Sequence, residues 1–115
     1  MKAEKKFEKR PWGKFITYAF NEQCTVKILE VKPKQQLSLQ SHKNRKEMWV
    51  ALDDGCFVQL NKKVFALAKG KSLIIGKKQK HRLVSKGKGF RVLEVSFGKF
   101  DEKDEIRFED VYGRK

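Results

Sequence analysis

Histidine, cysteine and proline occur only twice each in this 115-residue chain, and each scarcity excludes something. Cys24 and Cys56 stand far apart with no C-x-x-C pair, so neither a zinc knuckle nor a disulfide framework is available, and both are expected to be reduced core thiols of an intracellular protein. No stretch of 18 apolar residues occurs, and Met1 to Lys9 is charged without the apolar segment of a secretory leader; a soluble, cytoplasmic protein is expected. A glycine-rich nucleotide-binding segment is also missing, which argues against nucleotidyl transfer. Acidic residues are few: 14 against 28 Lys plus Arg, a formal charge of +14. Such a surface attracts anions from sugar phosphates to nucleic acid, and its sign does not choose between them. The length fits one domain, residues 1–115, able to bury a core without metal or disulfide staples.

What the chain does have is period-two hydrophobicity in short, closely spaced runs. Lys14–Phe20, Thr25–Val31, Gln36–His42, Glu47–Leu52, Cys56–Leu60, Lys63–Ala68, Ser72–Ile75, Lys80–Val84 and Phe90–Phe97 read as strands. Asp53-Asp54-Gly55 and Asn61-Lys62 read as hairpin turns between them. With no long helical stretch, the pattern predicts an all-β sandwich or barrel. Residues 101–114 depart from it, and are expected to form a helical turn and an extended tail docked through Ile106, Phe108, Val111 and Tyr112. Trp12 and Trp49 are expected in the core.

Both histidines belong to one polar constellation. Residues i and i+2 of a strand face the same way, so Gln40 and His42 can point to one interior spot, with Glu47 arriving from the next strand and His81 from a third. Two imidazoles, a carboxylate and an amide oxygen make a ligand set for a divalent transition metal with an open position. Strand alternation turns Lys80 and Arg82 away from that interior, onto the surface.

The words around these residues resemble a known family. Gln40-Ser-His42-x4-Glu47 with Gly55, then Gly70-x5-Gly76-x4-His81, is similar to the two-part motif of the cupins. Arg10-Pro-Trp-Gly13, Leu37-Ser-Leu-Gln40, Arg45-x-Glu47-x-Trp49-Val50, His81-Arg82-Leu83 and Ile106-Arg-Phe-Glu-Asp-x-Tyr-Gly-Arg114 look, in that order, like the type II phosphomannose isomerase domain of the cupins. The chain departs from the family twice. Three of four histidines usual after the glutamine are replaced, with Asn44 a weaker stand-in ligand, and the family's Ile-Pro-x-Gly-x-x-His reads Ile75-Gly-Lys-Lys-Gln-Lys-His81 here.

The resemblance implies a double-stranded β-helix (jelly-roll) barrel with a short C-terminal tail, and an isomerase interconverting mannose 6-phosphate and fructose 6-phosphate through an enediolate. It implies Gln40, His42, Glu47 and His81 as ligands of a metal, zinc above others; Arg45 as catalytic and phosphate-binding; and Arg107 and Arg114 as substrate-binding. Glu47, or a carboxylate such as Glu94, is the expected proton-transfer base. A homodimer built on an exposed strand edge is the expected assembly. The rival expectation is a non-catalytic cupin that binds a sugar phosphate or another small anion. A nucleic-acid-binding barrel rests on charge alone.

Overall fold

The structure, a computed structural model, describes residues 6–110 and 112–113. It contains eleven strands: β1 (Lys6–Arg10), β2 (Gly13–Thr17), β3 (Cys24–Val31), β4 (Leu39–Ser41), β5 (Lys46–Ala51), β6 (Phe57–Leu60), β7 (Lys63–Ala66), β8 (Ser72–Ile75), β9 (His81–Val84), β10 (Phe90–Phe97) and β11 (Ile106–Glu109). Every pairing between them is antiparallel. One sheet runs β3-β10-β5-β8, the other β11-β4-β9-β6-β7, and β1 with β2 forms a separate two-stranded sheet. Among the described residues no helix is long and apolar enough to cross a membrane.

Alternation sorts the side chains. In β5, Trp49 and Ala51 point between the two sheets, where they meet Val31, Val58, Ile75, Leu83, Phe90 and Val92 in the main core. Met48 and Val50 point to the other face, and with Val95 and Phe97 they pack under Tyr18, Ala19 and Cys24. β5 is therefore buried on both sides, which is why Met48 to Leu52 reads as a continuous apolar run. At about 25 cal/mol per Å², burial of each large side chain here contributes roughly 1.5–3 kcal/mol.

Several expectations need correction. Residues 53–55 do not close a hairpin, because β5 and β6 lie in different sheets; the turn, with Gly55 at φ 92°, carries the chain across the sandwich. Asn61, at φ 54°, does turn the β6–β7 hairpin. The strand expected over Gln36–His42 shortens to Leu39–Ser41. The helical turn near residue 101 is a single turn, closed by the Asp104 N–H on the Asp101 carbonyl at 3.0 Å. After it the expected extended, docked tail is a paired strand, β11 on β4. Trp12 is 72% exposed instead of packed in the core. Arg82 does face outward from β9 but is buried, because Glu109 of β11 covers it and accepts from its Nη2. Val111 and Arg114 lie outside the described residues.

Candidate metal centre

Register places the site. Arg107 of β11, Gln40 of β4 and His81 of β9 sit directly opposite one another across three strands. In the facing sheet, Glu47 lies opposite Ser96, and Trp49 opposite Glu94, which in turn lies opposite Lys27. Directly opposed residues share a sheet face, so both rows look into the sandwich. Arg107, Gln40 and His81 from one row, and Trp49, Glu94 and Lys27 from the other, line one cavity of about 340 Å³ together with His42, Arg45 and Phe100.

At its floor, His42, Glu47 and His81 bring one ligand atom each within 4.8 Å of one another, all three buried. His42 Nδ1 lies 2.6 Å from the Asp104 carbonyl and His81 Nδ1 lies 2.8 Å from the Gln79 carbonyl. A carbonyl oxygen only accepts, so each Nδ1 carries a hydrogen and each Nε2 turns toward Glu47. Glu47 Oε1 stands 3.3 Å from His81 Nε2 and 3.6 Å from His42 Nε2. It is buried and has no hydrogen-bond partner. With neutral imidazoles, three lone pairs converge there, an arrangement that suits a cation. A site of two histidines and one carboxylate, its imidazoles oriented by backbone carbonyls, fits a divalent transition metal with open positions. Gln40 is half-buried on the cavity wall, its Nε2 near Ser38 Oγ at 3.4 Å. Asn44 is exposed and outside that lining, its N–H given to Asp104 Oδ2 at 2.9 Å.

The surrounding charges tune these groups. Burial pushes the Glu47 carboxyl up, but the His81 imidazole close to Oε1, with His42 and Arg45, outweighs it and holds it at about 2. Burial lowers His42 and prevails over the Asp104 carbonyl and Glu47, which raise it, so its neutral, ligand-competent form is favoured. Glu94 moves the other way: burial and then the Glu47 charge raise it, against a 3.0 Å bond from Trp49 Nε1 to Oε2.

Arg45 is buried in the cluster. Its Nε donates to Glu47 Oε2 at 3.1 Å, its Nη1 to the Asp101 carbonyl at 3.1 Å, and its Nη2 sits 3.3 Å from His42 Nε2. Phe100 lies between two cations, 4.4 Å from Arg45 Cζ and 4.1 Å from Lys27 Nζ. Arg107 lines the cavity mouth and pairs with Glu105 at 2.7 Å.

Sequence reasoning missed the segment between β10 and β11. Asp104 takes the backbone N–H groups of Lys43 and Asn44 and the Nδ1 hydrogen of His42, while Asp101 takes Arg45. The visible signal was an acidic patch in a strongly basic chain. Lys78, three residues before His81, sits at φ 65° and gives its N–H to the His42 carbonyl at 2.6 Å. It stands at the glycine position of the Ile-Pro-x-Gly-x-x-His pattern, so the turn keeps its left-handed shape at a cost of about 1–2 kcal/mol.

Comparison with known proteins agrees with this layout. The family model "Mannose-6-phosphate isomerase C-terminal" matches residues 2–110. The alginate biosynthesis protein AlgA of Pseudomonas putida is 38% identical over 107 residues, covering 91% of this chain and 22% of AlgA. The mannose-1-phosphate guanylyltransferase ManC of Salmonella typhimurium is also 38% identical, with 91% and 22% covered. The chain thus spans about a fifth of the length of these relatives. Among solved structures, a 3,4-ketoisomerase from Helicobacter canadensis has a TM-score of 0.73 at 19% identity, covering 92% of this chain and 88% of that one. A double-stranded β-helix protein from Klebsiella pneumoniae has a TM-score of 0.66 at 18% identity, covering 79% and 78%. The fold is the double-stranded β-helix, and the chain belongs to the mannose-6-phosphate isomerase C-terminal family.

Proposed function

We propose that this domain is a metal-dependent isomerase interconverting mannose 6-phosphate and fructose 6-phosphate. One observation carries the reading: Glu47 Oε1 and two imidazole Nε2 atoms converge in a cavity that also holds a second carboxylate, Glu94, raised above its ordinary range. His42, Glu47 and His81, with Gln40 beside them, would hold the metal, for which zinc suits the donor set. When bound, it would polarise the sugar carbonyl and stabilise enediolate charge. We assign proton transfer to Glu94 in place of Glu47, because Glu47 Oε2 accepts from Arg45 and Ser96 while Oε1 faces both imidazoles. Glu94 takes the C2 proton of mannose 6-phosphate and returns it to C1, and Trp49 keeps its carboxylate aimed. Lys27 and Arg107 supply cationic side chains along the cavity for the phosphate.

The binding-only reading draws on Arg45, whose guanidinium takes up the His42 lone pair. Elemental analysis of protein purified without chelator or histidine tag, then a coupled assay with mannose 6-phosphate, separates the two. About one equivalent of transition metal with turnover supports the isomerase. No metal, and no turnover after zinc, cobalt or manganese is added, overturns it.

We further propose a homodimer. A lone two-stranded hairpin is marginal in water, yet among the described residues β1–β2 pairs with no other strand and exposes Phe7 and Trp12, while edge strand β3 exposes Val26 and Ile28. A second copy can cover these surfaces and lend the hairpin a third strand. Sedimentation equilibrium is expected to give twice the 13.5 kDa chain mass; a monomer at concentrations of about 50 μM would discard the idea.

A further inference from the structure

We infer that Arg45 and a divalent metal compete for one atom, the Nε2 lone pair of His42, so the guanidinium has to withdraw before all three ligands can close on the metal. This rests on the metal reading above and adds a control on it. His42 Nδ1 gives its hydrogen to the Asp104 carbonyl, which leaves Nε2 a single lone pair in the ring plane. Arg45 Nη2 lies 3.3 Å from that atom. A guanidinium only donates, so the contact consumes the lone pair a metal would need. The other two ligand atoms escape this: Glu47 Oε1 and His81 Nε2 receive nothing from Arg45, whose bond to Glu47 goes to Oε2.

The competition therefore falls on one ligand of three. It is also a matter of charge, because a guanidinium stays cationic at every working pH and would share a buried cluster with a second cation. What holds Arg45 in place lies on its outer side: the Asp101 carbonyl at 3.1 Å and the ring of Phe100 at 4.4 Å. Both come from the segment joining β10 to β11. That segment also orients His42 through Asp104, so the same loop prepares the ligand and seats its competitor. Arg45 lines the cavity as well, which gives the side chain a place to withdraw to.

The test uses the full chain, stripped with chelator and titrated with cobalt(II), followed by its visible absorption and by competition with a chromophoric chelator. Arg45→Gln is expected to bind cobalt tenfold or more tightly than the wild type. Its thermal midpoint is expected to fall in the chelator-treated protein and to match wild type when cobalt saturates both. Equal or weaker cobalt binding by Arg45→Gln, with a normal absorption band, overturns the competition and leaves the metal site standing. Absence of cobalt binding in both proteins overturns the metal reading itself. Should Arg45→Gln not fold, nitrogen NMR of the wild type decides: zinc is expected to shift His42 Nε2 and the Arg45 Nε–H together. An Arg45 signal unmoved while His42 takes zinc overturns the proposal.

Discussion

Replacing Glu47 with Ala is expected to cost about 3–5 kcal/mol of stability and to abolish stoichiometric metal binding. The size of the first effect follows from what Glu47 leaves behind. It is 1% exposed and neutralises Arg45, itself 6% exposed, while accepting Ser96 Oγ at 2.9 Å. Removing one partner of a buried pair strands the other charge in low dielectric, which costs far more than the pair contributes relative to an apolar substitute. The pH dependence carries a sign that can be checked. A carboxyl held at about 2 in the folded chain, against about 4.3 unfolded, contributes stability that is complete above the unfolded value and is lost as pH falls through about 2. In the variant that acid dependence flattens. Denaturant unfolding between pH 2 and 7 measures both effects, and a Glu47→Ala protein with wild-type stability at pH 7 would show that Arg45 finds another counter-charge. Metal content on the same samples reads the second effect, since the two imidazoles that remain are a weak chelate.

The convergence of His42, Glu47 and His81 was legible in the sequence because strand alternation is a local rule. Gln40 and His42 two apart, and Glu47 and Trp49 two apart, share faces whatever the topology, and with only two histidines the choice was small. All nine expected strands recur within three residues of their expected bounds, the Gln36–His42 run shrinking most. Alternation gives a face but not the layer lying over it. Arg82 was correctly turned outward, yet only the pairing of β11 with β4 brings Glu109 over it. Trp12 was misplaced for a related reason: an aromatic residue signals burial, while the β1–β2 hairpin leaves its own aromatics without barrel strands beside them. The Asp101–Asp104 turn was invisible as part of the site, because its contacts to His42 and Arg45 span about sixty residues of chain.

Glu94→Gln is expected to lower isomerase turnover by about 10²–10⁴-fold while leaving metal content unchanged. Glutamine preserves the size of the side chain and can still accept from Trp49 Nε1, so the wall of the cavity stays in place. What disappears is the base. Burial first, and the Glu47 charge second, raise the Glu94 carboxyl above the usual range. A raised pKa brings a carboxylate closer to neutrality, where proton abstraction from carbon has its best compromise between basicity and ionisation. The direction of the pH effect follows. Glu94 has to be ionised to accept the C2 proton, so wild-type activity falls as pH drops through its pKa, at a pH above that of an ordinary glutamate. Glu94→Gln is expected to lose that acidic limb along with the rate, and wash-in of solvent deuterium at C2 should fall in parallel with turnover. Glu47→Ala loses metal as well as turnover, so metal content distinguishes a missing ligand from a missing base. Wild-type turnover in Glu94→Gln would move the proton-transfer role elsewhere in the cavity, with Glu105, at its mouth beside Arg107, the next carboxylate to test.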